Sequence, residues 1–219
     1  MDKRFDLIVF DWDGTLMDSA AAIVRAIQAA SRDMGVDEPS DYHARQVIGL
    51  GLQEALSQAV PNLPEAAYPE MVNRYRHHYL GSDHQLVLFD GAKEMIESLS
   101  KQGYLLAVAT GKSRLGLKRA LEHSGLTRFF DVTRCADECV SKPDPQMLYE
   151  ILDELDVAAG RAVMVGDTSH DLNMAKRAGV AGVGVSYGAH LPDDLIACDP
   201  IACFDDVPSL SAWLHGRNL

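Results

Sequence analysis

The first residues of this 219-residue chain whose types and spacing suit chemistry are two aspartates, in Asp11-Trp12-Asp13-Gly14-Thr15. They follow Phe5-Asp6-Leu7-Ile8-Val9-Phe10, an apolar β-branched run that reads as a buried parallel strand. Side chains two residues apart leaving a strand point to the same side, and Gly14 permits a tight turn there. Like charges this close stay ionised only if a cation joins them or one keeps its proton. The pair therefore suits a hard cation with oxygen ligands, and a nucleophile beside an acid/base group. Taken alone, the motif is equally a polar strand end with Asp-Gly turn chemistry.

Three more polar clusters follow. In Thr110-Gly111-Lys112-Ser113, a hydroxyl and free backbone N–H groups at a helix start make an anion site. A P-loop is excluded, because Leu106 stands where its first glycine is required. An ordinary N-cap accounts for Thr110 equally well. In Ser141-Lys142-Pro143-Asp144-Pro145, proline at a helix start is structurally sufficient. Lys142 is then either a solvated lysine or an ammonium held near Asp11 and a phosphate. In Gly166-Asp167-Thr168-Ser169-His170-Asp171, Asp167 stands where a strand stops and can complete an oxygen-rich site for Mg²⁺. Asp171 either binds a metal-bound water or orients Lys142, or is a helix N-terminal acid favoured by the dipole. His170 has no evident partner and is expected on the surface.

The elements that must position these clusters read as follows. Ile23, Ile27, Ala30 and Met34 fall at helical spacing after Asp18-Ser19, and Gly35 stands near the stop. Further helices are expected over 41–47, 53–59 and 64–80, with Ile48-Gly49-Leu50-Gly51-Leu52 as a flexible connection. Strands are expected over 104–109, 129–132, 161–165, 180–185 and 201–204. Helices over 91–101, 113–124, 145–155, 171–178 and 207–214 alternate with them. This alternation implies an α/β chain with a parallel sheet and helices on both faces. Residues 16–84 exceed what a crossover needs and are helical throughout. They are expected to form a small all-helical cap inserted after the first strand, on a core of 1–15 and 85–219. Ligands bind at the C-terminal end of such sheets, so a movable cap there would be a lid that excludes water.

The net charge of −12 argues against a nucleic-acid partner, which needs a basic face. It does not exclude a phosphorylated substrate held by a metal and one or two lysines. The four cysteines form no C-x-x-C pair, so reduced thiols are expected rather than zinc or dithiol chemistry. Met1-Asp2-Lys3-Arg4 precedes an apolar run too short for a signal peptide, and no stretch reaches membrane-spanning length. The expectation is a soluble, cytoplasmic protein without a membrane partner.

The order Asp11-x-Asp13-Gly14-Thr15, Thr110-Gly111, Lys142-Pro143 and Gly166-Asp167-x-x-x-Asp171 resembles the haloacid dehalogenase superfamily, across nearly the whole chain. The insertion after the first motif is similar to that superfamily's C1-type cap. Among its members the chain looks most like the phosphoglycolate phosphatases. The resemblance implies a Rossmann-like core and Mg²⁺-dependent phosphoryl transfer from a small phosphorylated metabolite. Carried over, Asp11 attacks phosphorus and forms an aspartyl-phosphate. Asp13 protonates the leaving alkoxide and later deprotonates the hydrolytic water. Thr110 and the Gly111 backbone hold phosphoryl oxygens, and Lys142 neutralises nucleophile and phosphate. Asp11, the Asp13 carbonyl and Asp167 bind Mg²⁺.

An aspartate at position 13 favours ester hydrolysis or a phosphomutase over dehalogenases, whose chemistry needs no proton for an ester leaving group. A β-phosphoglucomutase-like activity stays open. A receiver-like phospho-accepting module also gathers acids, a hydroxyl and a lysine at strand ends. It carries its phosphorylated aspartate after the third strand and has no helical insertion. Substrate choice is expected in the cap, with Arg25, Arg45 and the 48–51 loop as candidates beside ordinary surface or packing roles.

Overall fold

The computed structural model describes residues 4–81 and 83–216; Met1-Asp2-Lys3 and 217–219 of the expected core and Ser82 within the expected cap lie outside the described residues. Six strands run in chain order: β1 (Leu7–Phe10), β2 (Leu105–Thr110), β3 (Val132–Cys135), β4 (Ala162–Gly166), β5 (Ala181–Val185) and β6 (Ala202–Phe204). All pair in parallel, in the spatial order β3-β2-β1-β4-β5-β6. The chain winds outward from β1 through β2 to β3, then returns to lay β4 on the other side of β1. The crevice where strand order reverses is thus at the C-terminal ends of β1 and β4, the place where open α/β sheets bind ligands.

β1 has no exposed face, as its unbroken apolar run requires. Ile8 and Phe10 enter one core with Leu106, Val108, Val163 and Val165. That core is covered by α5 (Ala92–Lys101), α6 (Arg114–Ser124) and α10 (Val207–Leu214). Leu7 and Val9 enter the opposite core, under α7 (Gln146–Leu155) and α8 (Ser169–Ala178). The period-two alternation of the strand therefore builds both layers at once.

Between β1 and α5 lie four α-helices: α1 (Ala20–Asp33), α2 (Asp41–Gln46), α3 (Leu52–Ala59) and α4 (Tyr68–Leu80). Their apolar stripes bury a cluster of their own, centred on Ile27, Leu56 and Met71. This is the small helical cap inserted after the first strand.

Several bounds move by one or two residues, α8 starting at Ser169 rather than 171, and three elements differ further. The strand placed at 129–132 lies at Val132–Cys135, behind a 3-10 turn at Thr127–Phe129. Phe129 and Phe130 are apolar because they pack against the core, not because they pair in the ladder. β3 is an edge strand, and its polar Arg134 pairs with Glu150 and Glu154 of α7. The helix placed at 64–80 starts instead at Tyr68 after a 3-10 turn at Glu65–Ala67. Pro69, which lacks an amide donor, sits in the first turn, where none is needed. A one-turn helix, α9 (Pro192–Ile196), carries no periodic signal long enough to read from sequence. Among the described residues no helix is long and apolar enough to cross a membrane, and the four cysteines are free thiols.

Ile8 is fully buried at the centre of the sheet. Ile8→Ala should cost about 2–5 kcal/mol through lost burial and the cavity left behind. Urea unfolding followed by circular dichroism reads this directly; a loss below about 1 kcal/mol would contradict the packing described.

Candidate active site

Asp11 leaves the end of β1, its amide donating to the Val165 carbonyl of β4 at 2.9 Å. Its carboxylate is buried. Lys142 Nζ donates to Asp11 Oδ1 at 2.7 Å and to Asp171 Oδ1 at 2.6 Å, also fully out of solvent. Asp11 Oδ2 is buried and has no hydrogen-bond partner among the described residues. Asp171 is the third residue of α8 and completes a capping box there. Its Oδ2 accepts from the Thr168 hydroxyl at 2.6 Å and the Thr168 amide at 3.2 Å. The helix N-terminal acid is thus also the second carboxylate on Lys142.

Asp167 follows β4 and is buried. Its Oδ1 accepts from the Thr15 hydroxyl at 2.8 Å and its Oδ2 from the Ala189 amide at 2.7 Å. Space around it is reserved by glycine. A Cβ on Gly14, which also has φ +83°, or on Gly188 would collide with the Asp167 carboxylate. The carboxylates of Asp11, Asp167 and Asp171 offer oxygens within 4.8 Å of one another. Asp13 contributes no carboxylate oxygen to that group. Its Oδ1 accepts from the Ser19 hydroxyl at 2.6 Å, and its Oδ2 faces Lys112 Nζ at 3.1 Å.

Two carboxylates, Asp11 and Asp171, share the Lys142 ammonium with Asp167 close by, and the titration behaviour reflects the imbalance. The Asp11 carboxyl is pushed well up, by burial first, against the pull of Lys142 and with the Asp171 and Asp167 charges adding to the rise. Asp167 is pushed from its ordinary 3.8 to about 7, by burial and then by Asp171. Burial would lower Lys142, but Asp11 and Asp171 outweigh it and hold the ammonium charged. A partnerless buried oxygen among repelling carboxylates is an arrangement a divalent cation with oxygen preference would satisfy.

Thr110 ends β2, fully buried. It does not cap the following helix: Ser113 does, accepting from the Gly116 amide at 3.3 Å. Beside Thr110, Gly111 lies under the cap connection, and a Cβ there would collide with the carbonyls of Leu50 and Gly49. The same connection reaches two more motif loops. The Gly51 amide donates to Ser141 Oγ at 2.9 Å, and a Cβ on Gly49 would touch the Thr168 hydroxyl at 3.2 Å. Just before it, Arg45 Nη1 donates to the Gly188 carbonyl at 3.2 Å. Arg25 stays exposed on α1, lining a cavity of about 270 Å³ with Arg32 and His78. His170 is not a surface residue. It is half-buried, with Nε2 2.8 Å from the Gln46 carbonyl and its ring edge-on to His190 at 5.3 Å. The descending cap loop covers it, and no local pattern announces that contact.

Sequence reasoning missed two residues here. Ser19 sits at the N-cap of α1 but makes no cap hydrogen bond, its hydroxyl going to Asp13 instead. Lys112 bridges Asp13 and Tyr79 of the cap helix α4, donating to the Tyr79 hydroxyl at 2.9 Å. The eight-residue spacing from Asp11 to Ser19 carries no signal without the fold.

The family model for haloacid dehalogenase-like hydrolases matches residues 8–185. A probable phosphatase, IndB, of Dickeya dadantii is 40% identical over 95% of this chain and 93% of its own. A 5'-nucleotidase of Pseudomonas aeruginosa is 33% identical over 98% of this chain and 97% of its own. Among solved structures, that of a predicted phosphoglycolate phosphatase from Haemophilus somnus superposes with a TM-score of 0.87 at 27% identity, covering 100% of both chains. The chain belongs to the haloacid dehalogenase-like hydrolases. Within them it is a phosphatase of the phosphoglycolate phosphatase-like kind, and its reaction is phosphomonoester hydrolysis.

Two expectations follow. Gly111→Ala should lift the cap connection, seen as faster hydrogen exchange at the Gly51 amide; unchanged exchange would contradict the close approach described. The raised Asp167 carboxyl sets a pH slope. The folded state holds this proton between 3.8 and about 7 while the unfolded chain has released it. The stability it contributes is therefore full below the lower value and lost as pH rises through the upper one. Urea midpoints in chelator should fall across that window, and a rise there would refute the assignment.

Proposed function

We propose that Asp11 is the nucleophile and Asp13 the acid and base in hydrolysis of a small phosphomonoester, with a 2-phosphoglycolate-like substrate favoured. The observation that carries this reading is the state of Asp11: one oxygen is held by Lys142 and the other is buried without a partner. Asp11 attacks phosphorus, and the P–O bond to the leaving group breaks as Asp13 delivers a proton to the departing oxygen. Asp13, now a carboxylate, takes a proton from water, whose oxygen attacks the aspartyl-phosphate. Phosphate departs and Asp11 is restored. Thr110 and the Gly111 amide hold phosphoryl oxygens, while Lys142, fixed by Asp171, offsets negative charge as the two anions approach.

Asp11, Asp167 and the Asp13 carbonyl would hold Mg²⁺, with Asp171 close by. The partnerless Asp11 oxygen and the clustered carboxylates fit such an ion. When bound it supplies charge neutralisation between nucleophile and phosphate. Residues 16–84, on a core of 1–15 and 85–219, act as the lid that excludes water. The separate apolar cluster of the cap and its contacts with Gly111, Ser141 and Thr168 support that division. We also read the chain as cytoplasmic and without a nucleic-acid partner, on its free thiols and net charge of −12.

The test is phosphate release from 2-phosphoglycolate, sugar phosphates, nucleotides and pyrophosphate, with Mg²⁺ and with chelator. Chelator-sensitive release with one strong preference is expected. Release that ignores chelator refutes the metal assignment, and phosphoryl transfer between sugar hydroxyls without release indicates a mutase. Asp11→Asn should abolish turnover while the circular dichroism spectrum stays native; retention of most activity refutes the nucleophile. Mg²⁺ should raise the melting temperature more at pH 7.5 than at pH 5, where protons compete for the same carboxylates.

A further inference from the structure

We propose that Lys112, held in place by Tyr79 of the cap, is a positioning residue for proton transfer and fixes the orientation of the Asp13 carboxyl group. The inference rests on the assignment of Asp13 as the acid and base and deepens it, since it names what aims that group.

Lys112 belongs to two parts of the site at once. Its backbone lies in the loop assigned to phosphate, where its amide donates to the Thr110 hydroxyl at 3.2 Å and its carbonyl accepts from the Ala136 amide at 3.1 Å. The Thr110 hydroxyl, an acceptor in that bond, keeps its own proton to donate. The Lys112 ammonium reaches away from this loop to Asp13 Oδ2 at 3.1 Å, on a side chain only 10% exposed. A lysine stem is long and flexible, so an ammonium with a single partner does not hold a carboxylate still. Tyr79 supplies the second hold. Its hydroxyl accepts from the ammonium at 2.9 Å, and its ring centroid lies 4.9 Å from the same nitrogen. Tyr79 is in turn stacked on Tyr75, with centroids 5.7 Å apart and planes inclined by 13°. Both rings pack against the apolar cluster of the cap. The contacts run without a gap from the interior of the cap, through one lysine, to Asp13.

Such a hold matters because a carboxyl group turns broadly about its last torsion. Proton transfer needs the two heavy atoms within hydrogen-bond reach, and small misplacements are costly. Lys112 sets one end of the Asp13 carboxyl group, and the Ser19 hydroxyl sets the other through Oδ1 at 2.6 Å. Each oxygen keeps a further acceptor site, so the leaving group or water is met with both contacts in place. As the proton passes to the departing oxygen, negative charge develops on Asp13. The ammonium already stands beside Oδ2 to meet it, with no reorganisation at that moment.

The experiment follows phosphate release from ethyl, 2-fluoroethyl and 2,2,2-trifluoroethyl phosphate by the wild type, Asp13→Asn, Lys112→Met and Tyr79→Phe. These esters differ little in size while the leaving alcohol grows more acidic. A better leaving group needs the proton less, so impaired proton delivery falls hardest on ethyl phosphate. A loss of fold or of phosphate binding falls on all three alike. Lys112→Met should lower kcat/KM for ethyl phosphate by about tenfold or more, a part of the roughly 10²–10⁴-fold that a positioned acid supplies, and for the trifluoroethyl ester by much less. Tyr79→Phe should skew the series in the same sense, severalfold, and Asp13→Asn should skew it most. An even loss, or none, across the three esters in both Lys112→Met and Tyr79→Phe, beside a skewed Asp13→Asn, overturns this proposal and leaves the role of Asp13 intact. An even loss in Tyr79→Phe alone overturns the part given to Tyr79. If Lys112→Met does not fold, Tyr79→Phe decides the proposal. An Asp13→Asn variant without skew overturns the acid assignment, and this proposal with it. A wild type inactive on all three overturns the reading of a small phosphomonoester substrate, and again this proposal with it.

Discussion

The rest of the structure depends on one buried ammonium. Lys142 has no contact with solvent and is satisfied because Asp11 meets it from the end of β1 and Asp171 from the first turn of α8. An ammonium in that position is tolerable only with its partners placed, since removing either leaves a charge that neither water nor protein compensates. Three separate loops must therefore be held in register: the end of β1, the loop that carries Lys142, and the turn from β4 into α8. The parallel pairing of β1 with β4 fixes the first and third, and the Thr168–Asp171 capping box makes the position of Asp171 a property of the helix start. A helix cap and a functional positioning device are here the same set of hydrogen bonds.

Around that pair the site is overcharged. Asp167 and Asp11 are both displaced toward the protonated form, and glycines at 14 and 188 let the backbone approach the Asp167 carboxylate where a Cβ would collide with it. The cap bears on the same site from the other side. Its connection lies against Gly111, Ser141 and Thr168, so one short backbone segment touches three of the four motif loops. Tyr79 adds a contact through Lys112 to Asp13, and Ser19, at the start of the first cap helix, holds the other Asp13 oxygen. The group assigned to proton transfer is therefore gripped from both ends of the cap insertion, which ties its orientation to the position of the lid.

Much of the architecture was legible because burial leaves a periodic trace. β1, β2 and β4 read as strands from continuous apolar runs, since helices cover both their faces. The cap helices read from their apolar stripes, and three of the four motifs announced themselves by standing where those strands end. What failed shares a cause. Edge strand β3 is half polar and its neighbours Phe129 and Phe130 are apolar for packing, so hydrophobicity pointed a few residues too early. His170, taken for a surface residue, is covered by a loop more than 120 residues away in sequence. Thr110 resembled a cap, a role its neighbour Ser113 fills.

The amino-acid sequence by itself determined which side chains stand at the carboxyl ends of the strands, because local periodicity and turn chemistry set where each strand stops. It also determined the class of chemistry, since clustered acids with a lysine and a hydroxyl admit few uses. Tertiary structure alone decided which acids share one ammonium and that Asp13 faces Lys112 and Ser19 rather than the carboxylate cluster. It also brought Tyr79, from the far end of the cap, against the same lysine. The reason is physical: hydrogen bonds and ion pairs act over about 3 Å, and only folding brings within that distance residues that the chain separates by scores of positions.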